Sequence, residues 1–276
     1  MKISIIIPLY NKEHFVLGTI KSVIAQTFQD WEAIIINDGS TDNSAAIARS
    51  VTDPRIRFYE QKNQGLSATR NRAIHMANGE YIALLDADDT WDPDYLAIMV
   101  RLTEEYPGHA IYATGQKNRP ITTLPPGVTV IDNYLKYDYV YWVGSMIIKK
   151  SVYDEIGDFR VGVTPHEDTD MWLRMSCKYD AVFLNEELVD HPYETENNLA
   201  GMCDPKKSCP LWEWYDYPYP NKKILYRRTT EQMTKWGNTL ADHKYYGDAW
   251  KFLYRTRGYT TICPRLKLLY RIIFRK

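Results

Sequence analysis

A chain of 276 residues with a formal net charge of −1 has room for one large α/β domain, or for one domain with a smaller helical appendage. With 45% apolar and 25% charged residues, it can build a sizeable core and does not belong to the disordered class. A balance so near neutrality excludes a dedicated nucleic-acid binder, which carries a basic surplus.

Ile3–Ile7 is a continuous apolar run that stops at Pro8, as in a strand buried on both faces of a parallel sheet. The spacing of Phe15, Leu17, Ile20, Val23 and Ile24 predicts a helix over about 13–26 with one buried stripe. Trp31–Ile36 predicts a second strand, broken by Asn37-Asp38-Gly39-Ser40. Thr41 is placed to N-cap a helix running to about Val51. Ile56–Glu60 reads as a third strand and Leu66–Ala77 as a third helix, ended by Asn78-Gly79 in a left-handed stop. Tyr81–Leu85 is the fourth strand and runs directly into Asp86-Ala87-Asp88-Asp89. Asp92-Pro93 then caps and opens a helix to about Glu105.

The second half is less regular. Thr114–Tyr139, with Pro120, Pro125 and Pro126, reads as a loop or insertion. Val143–Lys149 predicts a short strand, Asp170–Tyr179 a short helix, and Ala181–Leu184 and Leu188–Val189 further strands. Leu211–Pro220 is rich in Trp, Tyr and Pro, and the tail from Lys222 reads as helical with a break near Gly258–Pro264. The strand–helix alternation of the first half predicts a doubly wound parallel sheet with helices on both faces. Ligands of such sheets bind beyond the carboxyl ends of the strands, where three polar clusters fall: Pro8 to Asn11, Asn37 to Ser40 and Asp86 to Asp89.

Asp86 and Asp88 lie two apart, so in an extended segment they point the same way. Three crowded carboxylates repel one another, and a divalent cation relieves the repulsion; hard oxygen ligands suit Mn²⁺ or Mg²⁺. The competing reading is a solvated acidic turn ahead of the next helix, and delivery by a buried strand favours the metal. Asp38 can accept hydrogen bonds from a base or ribose, or make an ordinary Asx turn.

Cys177, Cys203, Cys209 and Cys263 form no CxxC pair, which is expected of reduced thiols rather than of a zinc site. The apolar run at the N-terminus is too short for a signal peptide, and no stretch has the length to span a bilayer. The expected location is cytoplasmic. The segment 264–276 places Leu268, Leu269, Ile272 and Ile273 at helical spacing beside Lys267, Arg271 and Arg275. Two readings fit it equally: a peripheral contact at the inner face of the cell membrane, or a helix docked on the protein's own core.

Four stretches together resemble a known family: Ile5-Ile6-Ile7-Pro8-Leu9-Tyr10-Asn11, Ile36 to Asp42, Asn63 to Asn71, and Leu84-Leu85-Asp86-Ala87-Asp88-Asp89. In order and spacing they are similar to the consecutive signatures of the inverting glycosyltransferase family 2, which has the GT-A fold. The resemblance is strong over about residues 1–100 and continues more weakly to about residue 200. It implies a GT-A catalytic domain over 1–210, with a nucleotide-binding half (1–105) and an acceptor-binding half (106–210), followed by an aromatic-rich and helical extension over 211–276.

By the resemblance, Pro8, Tyr10 and Asn11 line a uracil pocket, with Tyr10 stacking on the base, and Asp38 contacts uracil or ribose. The segment from Asn63 through Gly65 to Arg70 closes over the nucleotide, with Arg70 near the base or the diphosphate. Thr69 stands where the family often has Ala. Asp86 reaches the ribose or donor sugar, with Ala87 beside it, and Asp88 binds the metal. His166-Glu167-Asp168-Thr169-Asp170-Met171-Trp172-Leu173-Arg174 resembles the family's Glu-Asp motif ahead of a Trp-Leu-Arg helix. That makes Asp168 the base for the acceptor hydroxyl and Glu167 an acceptor contact; the competing reading is an acidic first helical turn favoured by the helix dipole. Many GT-A enzymes take a further metal ligand from a C-terminal His, which makes His191 and His166 candidates. Val143-Gly144-Ser145 resembles the acceptor-side segment, with Ser145 its polar group.

The expected partners are a nucleotide-sugar donor, with UDP favoured, and a saccharide or lipid-linked acceptor in surface polysaccharide or glycoconjugate synthesis. A polyprenyl-phosphate glycosyl synthase needs no acceptor base, so the Glu167-Asp168 motif speaks against it. A sugar nucleotidyltransferase would carry a Gly-rich, Lys/Arg-bearing loop after the first strand, which Pro8-Leu9-Tyr10-Asn11 is not. A non-catalytic sugar-nucleotide binder remains the reading outside the enzymes.

Overall fold

The computed structural model describes residues 2–117, 119–132, 137, 141–163 and 167–192, with single positions at 218, 225, 250 and 254. The chain divides into two compact units, one of 1–161 with 178–198 and one of 162–177 with 199–276.

The first unit holds strands β1 (Ile3–Leu9), β2 (Trp31–Asn37), β3 (Ile56–Glu60), β4 (Tyr81–Leu84), β5 (Thr90–Trp91), β6 (Ile111–Gln116), β7 (Val128–Ile131), β8 (Met146–Lys149) and β9 (Ala181–Asp190). Its helices are α1 (Val16–Ile24), α2 (Ser44–Ser50), α3 (Leu66–Met76), α4 (Tyr95–Glu105) and α5 (Lys150–Ile156). The strands form one sheet in the order β3-β2-β1-β4-β8-β6-β9-β5, with β7 also on β9. From β3 to β4 every pair is parallel, as the strand–helix alternation predicts. Beyond β4 the sheet is mixed: β8 runs against both β4 and β6, β9 runs with β6, and β5 and β7 run against β9. Two reversals bring the carboxyl end of β6 back to the edge where β1, β2 and β4 end.

β1 and β2 are buried along their whole length, which is why their sequences are unbroken apolar runs rather than alternating ones. Pro8 lies past the last β1–β4 pair, Ile6 with Leu84, so its missing N–H breaks no ladder bond on that side. α1 buries Val16, Ile20 and Val23, one stripe at helical spacing, while Leu17, expected in that stripe, is exposed.

Several local expectations change. Thr41 does not cap α2, which begins at Ser44, where Asp42 Oδ1 accepts the Ser44 N–H at 2.9 Å. The Thr41 N–H is instead donated to Asn11 Oδ1. α3 ends at Met76 with Ala77 extended, and Gly79 is not left-handed. It is small for another reason: a Cβ there would stand 2.6 Å from the Ser4 backbone nitrogen and 2.8 Å from the Lys2 carbonyl oxygen. The Asp92 carboxylate makes no cap for α4 and pairs with Lys117.

The Pro-rich stretch conceals β7, and the two strand fragments predicted around Asn185-Glu186-Glu187 are one strand, β9. Its pairing with β6 slips at Gly115, which absorbs those polar residues without ending the strand. Asn185 Nδ2 holds the Pro-rich loop by donating to the carbonyls of Leu124 and Pro125 at 3.0 and 3.1 Å.

In the second unit, α6 spans Glu167–Ser176. It starts ahead of the predicted Asp170, because Glu167, Asp168 and Asp170 together form a first turn that the helix dipole favours. Asp170 is buried and pairs with Arg174 one turn on, at 3.0 Å. His166, Cys203, Cys209 and Cys263, most of the 211–276 extension, and the whole of 264–276 lie outside the described residues. Among the described residues, no helix is long and apolar enough to cross a membrane.

Candidate active site

At the carboxyl edge of the parallel strands, the loops after β1 and β2 are stitched together. Asn11, the one non-glycine residue with positive φ among the described residues, at 50°, donates its N–H to Ser40 Oγ at 3.0 Å, and its Oδ1 accepts the Thr41 N–H at 2.8 Å. The Lys12 N–H reaches Ser44 Oγ at 2.7 Å, and Glu13 Oε2 accepts the Asn43 N–H at 2.9 Å. A short polar side chain tolerates the left-handed conformation, so Asn11 serves the turn as much as any ligand. Tyr10, beside it, is 41% exposed.

Asp38, at the tip of β2, is buried. Its Oδ1 accepts Gln61 Nε2 and the Gln64 N–H, each at 2.8 Å, and its Oδ2 accepts the Gly65 N–H at 2.9 Å. Asp38 therefore holds the loop that carries exposed Asn63 into α3. Gln61 also donates to Thr69 Oγ1 at 2.9 Å, which gives Thr69 a structural use that Ala could not fill.

Asp86–Asp89 is a tight turn, closed by the Asp89 N–H on the Asp86 carbonyl at 3.0 Å, rather than the extended segment that residue alternation predicts. Its carboxylates diverge, two of them to a cation each and the third to an imidazole. Asp86 Oδ1 accepts Arg70 Nη2 at 2.8 Å, Asp88 Oδ2 accepts Lys12 Nζ at 2.7 Å, and Asp89 Oδ1 lies 2.5 Å from His191 Nδ1. Two of the three carboxylates are thus met by cations of the chain itself, while Asp89 still feels the charges of Asp86 and Asp88.

Arg70 is 1% exposed, and its guanidinium stacks over the Phe159 ring. Asn71 clamps the Phe159 backbone with two hydrogen bonds, at 2.8 and 2.9 Å. Burial pushes Asp89 up, opposed by the His191 hydrogen bond, and that same bond raises His191. The pair holds its shared proton to higher pH than either group would alone. Ala87 packs into the core, so only its backbone is left to face a ligand.

The cluster continues into the second half of the sheet. Gly144 lies against Asp89, where a Cβ would stand 3.0 Å from Oδ2, and its carbonyl accepts Trp91 Nε1 at 2.7 Å. The Trp142 ring meets His191 edge-on at 5.3 Å and carries Arg119 over its face at 4.8 Å. Ser145 is fully buried, with its hydroxyl on the Trp142 carbonyl, so it braces the turn at Val143–Ser145 and presents nothing to an acceptor. In α6, Asp168 Oδ1 accepts the Thr169 N–H at 2.6 Å, both Glu167 and Asp168 are partly exposed, and Trp172 is buried.

The structure thus brings Tyr10, Asn11, Asp38, Gly65, Arg70, Asp86, Asp88, Asp89 and His191 to one edge of the first unit. Gly144, from the segment that resembles the acceptor side, joins them, and so do Lys12, Gln61 and Trp142, which the sequence motifs do not include. Lys12 directly follows Asn11 in the β1 motif, and that adjacency was the available signal. Among the described residues, no three His, Cys, Asp or Glu side chains form a metal cluster. Asp86 and Asp88 each keep one oxygen beyond that taken by a cation. This donor set fits a hard cation that completes its shell with water and phosphate.

The model of the family described as Glycosyl transferase family 2 matches residues 4–157. A Rickettsia conorii protein named as an uncharacterized glycosyltransferase is 45% identical over 105 residues, 38% of this chain and 17% of that protein. The chain spans less than a fifth of the length of the first curated relatives it matches. A glycosyl transferase of Escherichia coli named for colanic acid biosynthesis, WcaA, is 28% identical over 77% of this chain and 80% of its own. Among solved structures, S. aureus TarS in complex with UDP-GlcNAc superposes with a TM-score of 0.72 at 17% identity, over 98% of this chain and 87% of that one. The mannosyltransferase PcManGT of Pyrobaculum calidifontis, in complex with GDP-Man and Mn²⁺, gives 0.65 at 16% identity, over 97% and 78%.

Proposed function

The chain belongs to glycosyl transferase family 2 and has the GT-A fold, and from that premise we propose that it is an inverting glycosyltransferase. In this reading it moves a sugar from a nucleotide-sugar, UDP-linked first among the candidates, to a hydroxyl of a saccharide or lipid-linked saccharide. The product belongs to surface polysaccharide or glycoconjugate synthesis, a role supported by the name of WcaA.

One observation carries the reading. β2, β1 and β4 are neighbours, so their ends lie within ~10 Å, two strand spacings, and they deliver Asp38, Tyr10 and the Asp86–Asp89 turn to one edge. That span matches a nucleoside with its diphosphate. The complexes of TarS with UDP-GlcNAc and of PcManGT with GDP-Man support the donor class.

The half-exposed Tyr10 ring stacks on the base. Asp38 keeps the loop with Asn63 and Gly65 in register over the nucleotide. Arg70 holds Asp86 toward the ribose and donor sugar. Asp88, with the second oxygen of Asp86, is the seat for Mn²⁺ or Mg²⁺, as the Mn²⁺ of PcManGT supports. His191 has its Nδ1 engaged, so only Nε2 is left for a metal. The chemistry that a bound cation supplies is neutralisation of charge on the departing diphosphate. Asp168 takes the acceptor proton as that oxygen bonds to the anomeric carbon and the bond to the diphosphate breaks, with inversion, while Glu167 orients the acceptor.

The test is a thermal-shift screen of UDP-, GDP- and dTDP-sugars with Mn²⁺, followed by nucleotide release from the stabilising donor. Stabilisation by one donor class and its loss in Asp88→Asn are expected. Absence of both binding and release for every donor overturns the reading.

A further inference from the structure

The three ion pairs of the Asp86–Asp89 turn are not equivalent. Arg70 is held beneath Phe159 with its side chain 1% exposed. Asp89 is fully buried against His191, and that imidazole is braced by Trp142. Lys12 differs from both. Its ammonium rides on a flexible four-carbon stem, its side chain is 13% exposed, and that of Asp88 is 9% exposed. The backbone beneath it is fixed, because the Lys12 N–H is tied to Ser44 Oγ and its neighbours Asn11 and Glu13 are stitched to Ser40–Asn43. The stem can therefore swing while its root stays in place.

We propose that Lys12 is the resident counter-ion of Asp88, a removable cation that holds the carboxylate until a divalent ion and a diphosphate arrive together. This rests on Asp88 being the metal seat, as argued above. A divalent cation on Asp88 and an ammonium 2.7 Å from the same carboxylate repel each other, so Lys12 has to leave when the metal binds. A displaced ammonium in a partly buried site needs another anion, and the diphosphate of the donor is the one that binds there. Metal binding without nucleotide is therefore weak, and nucleotide binding strengthens it. The coupling is reciprocal: the metal tightens the nucleotide by the same factor.

Mn²⁺ binding is measured by electron paramagnetic resonance and calorimetry, without and with saturating UDP, on the whole protein and on Lys12→Met and Lys12→Arg. Lys12→Met is expected to bind Mn²⁺ without UDP about tenfold more tightly or better, the size of effect that removing one nearby like charge produces at a partly exposed site. Its gain on adding UDP shrinks correspondingly. Lys12→Arg, which keeps the charge, is expected to behave as the parent does. Unchanged or weaker Mn²⁺ binding in Lys12→Met overturns the proposal, and so does equal tightening in both variants, which would trace the effect to packing. If no variant binds Mn²⁺ with or without UDP while UDP itself binds, the metal seat at Asp88 falls first and this inference with it.

Discussion

The carboxylate of Asp38 anchors Gly65: its Oδ2 accepts the Gly65 N–H at 2.9 Å, while its Oδ1 accepts the preceding N–H of Gln64 at 2.8 Å. The tip of one buried strand thereby sets the start of α3 and the path of the loop before it. Asp38→Asn turns an amide donor toward these donors and is expected to cost about 2 kcal/mol, read by urea unfolding. Nucleotide affinity should fall with it. A residue that only touched the base would leave stability unchanged.

Arg70 is a buried cation with one carboxylate partner named above, and removing it strips Asp86 of that charge. Arg70→Ala is expected to lose about 3 kcal/mol or more and to abolish donor binding. Arg70→Lys keeps the charge but not the planar fork, so it should recover stability in part and binding less. Equal melting temperatures for Arg70→Ala and the parent would contradict this.

Asp168→Asn separates chemistry from binding. Transfer should drop by about 10²–10⁴-fold, the usual worth of a positioned general base, while nucleotide-induced thermal stabilisation stays. Turnover within a few-fold of the parent, in a radiolabel transfer assay, would remove Asp168 from the role.

Gly144→Ala tests the packing under Asp89. The added methyl would stand 3.0 Å from Asp89 Oδ2 and 3.3 Å from Val189 Cγ1, and fully buried Asp89 has little room to yield. A loss of about 1–3 kcal/mol is expected. Gly108→Ala, with nothing within 4 Å of its Cβ, is the control and should unfold with the parent in circular dichroism.

Glu32 governs acid stability at the opposite edge of the sheet. Burial raises its carboxyl, but hydrogen bonds from Ser4, from the backbone and side chain of Asn78 and from Arg57 outweigh it, and the carboxyl is held down at about 2 against an ordinary 4.5. A carboxylate lowered in the folded state stabilises above its unfolded value and loses that contribution as pH falls through the folded one. Up to about 3 kcal/mol should therefore disappear between pH 4.5 and pH 2. Glu32→Gln should flatten that part of the pH–stability curve in urea titrations.

The first half of the fold was legible because its signals are local. Ile3–Ile7, Trp31–Ile36 and Tyr81–Leu85 are unbroken apolar runs, and the first helix between them, α1, carries one apolar stripe. The second half was not. β7 is four residues, Val128–Ile131, behind three prolines, and β9 carries Asn185-Glu186-Glu187 in mid-strand, where a slip in pairing with β6 accommodates them. Neither leaves a period to read. Thr41 and Gly79 failed as punctuation because their neighbours decide their use: Asn11 takes the Thr41 N–H, and Ser4 and Lys2 crowd Gly79.

At the site, the sequence by itself determined the residue types and their delivery: a buried strand ending in Asp86-Ala87-Asp88-Asp89, another ending in Asp38, and a third in Tyr10-Asn11. Only the tertiary structure decided which charge meets which. Arg70, Lys12 and His191 are 16, 76 and 102 residues from Asp86, Asp88 and Asp89. Side-chain pairs at such separations follow from strand order and loop stitching, which no local pattern records.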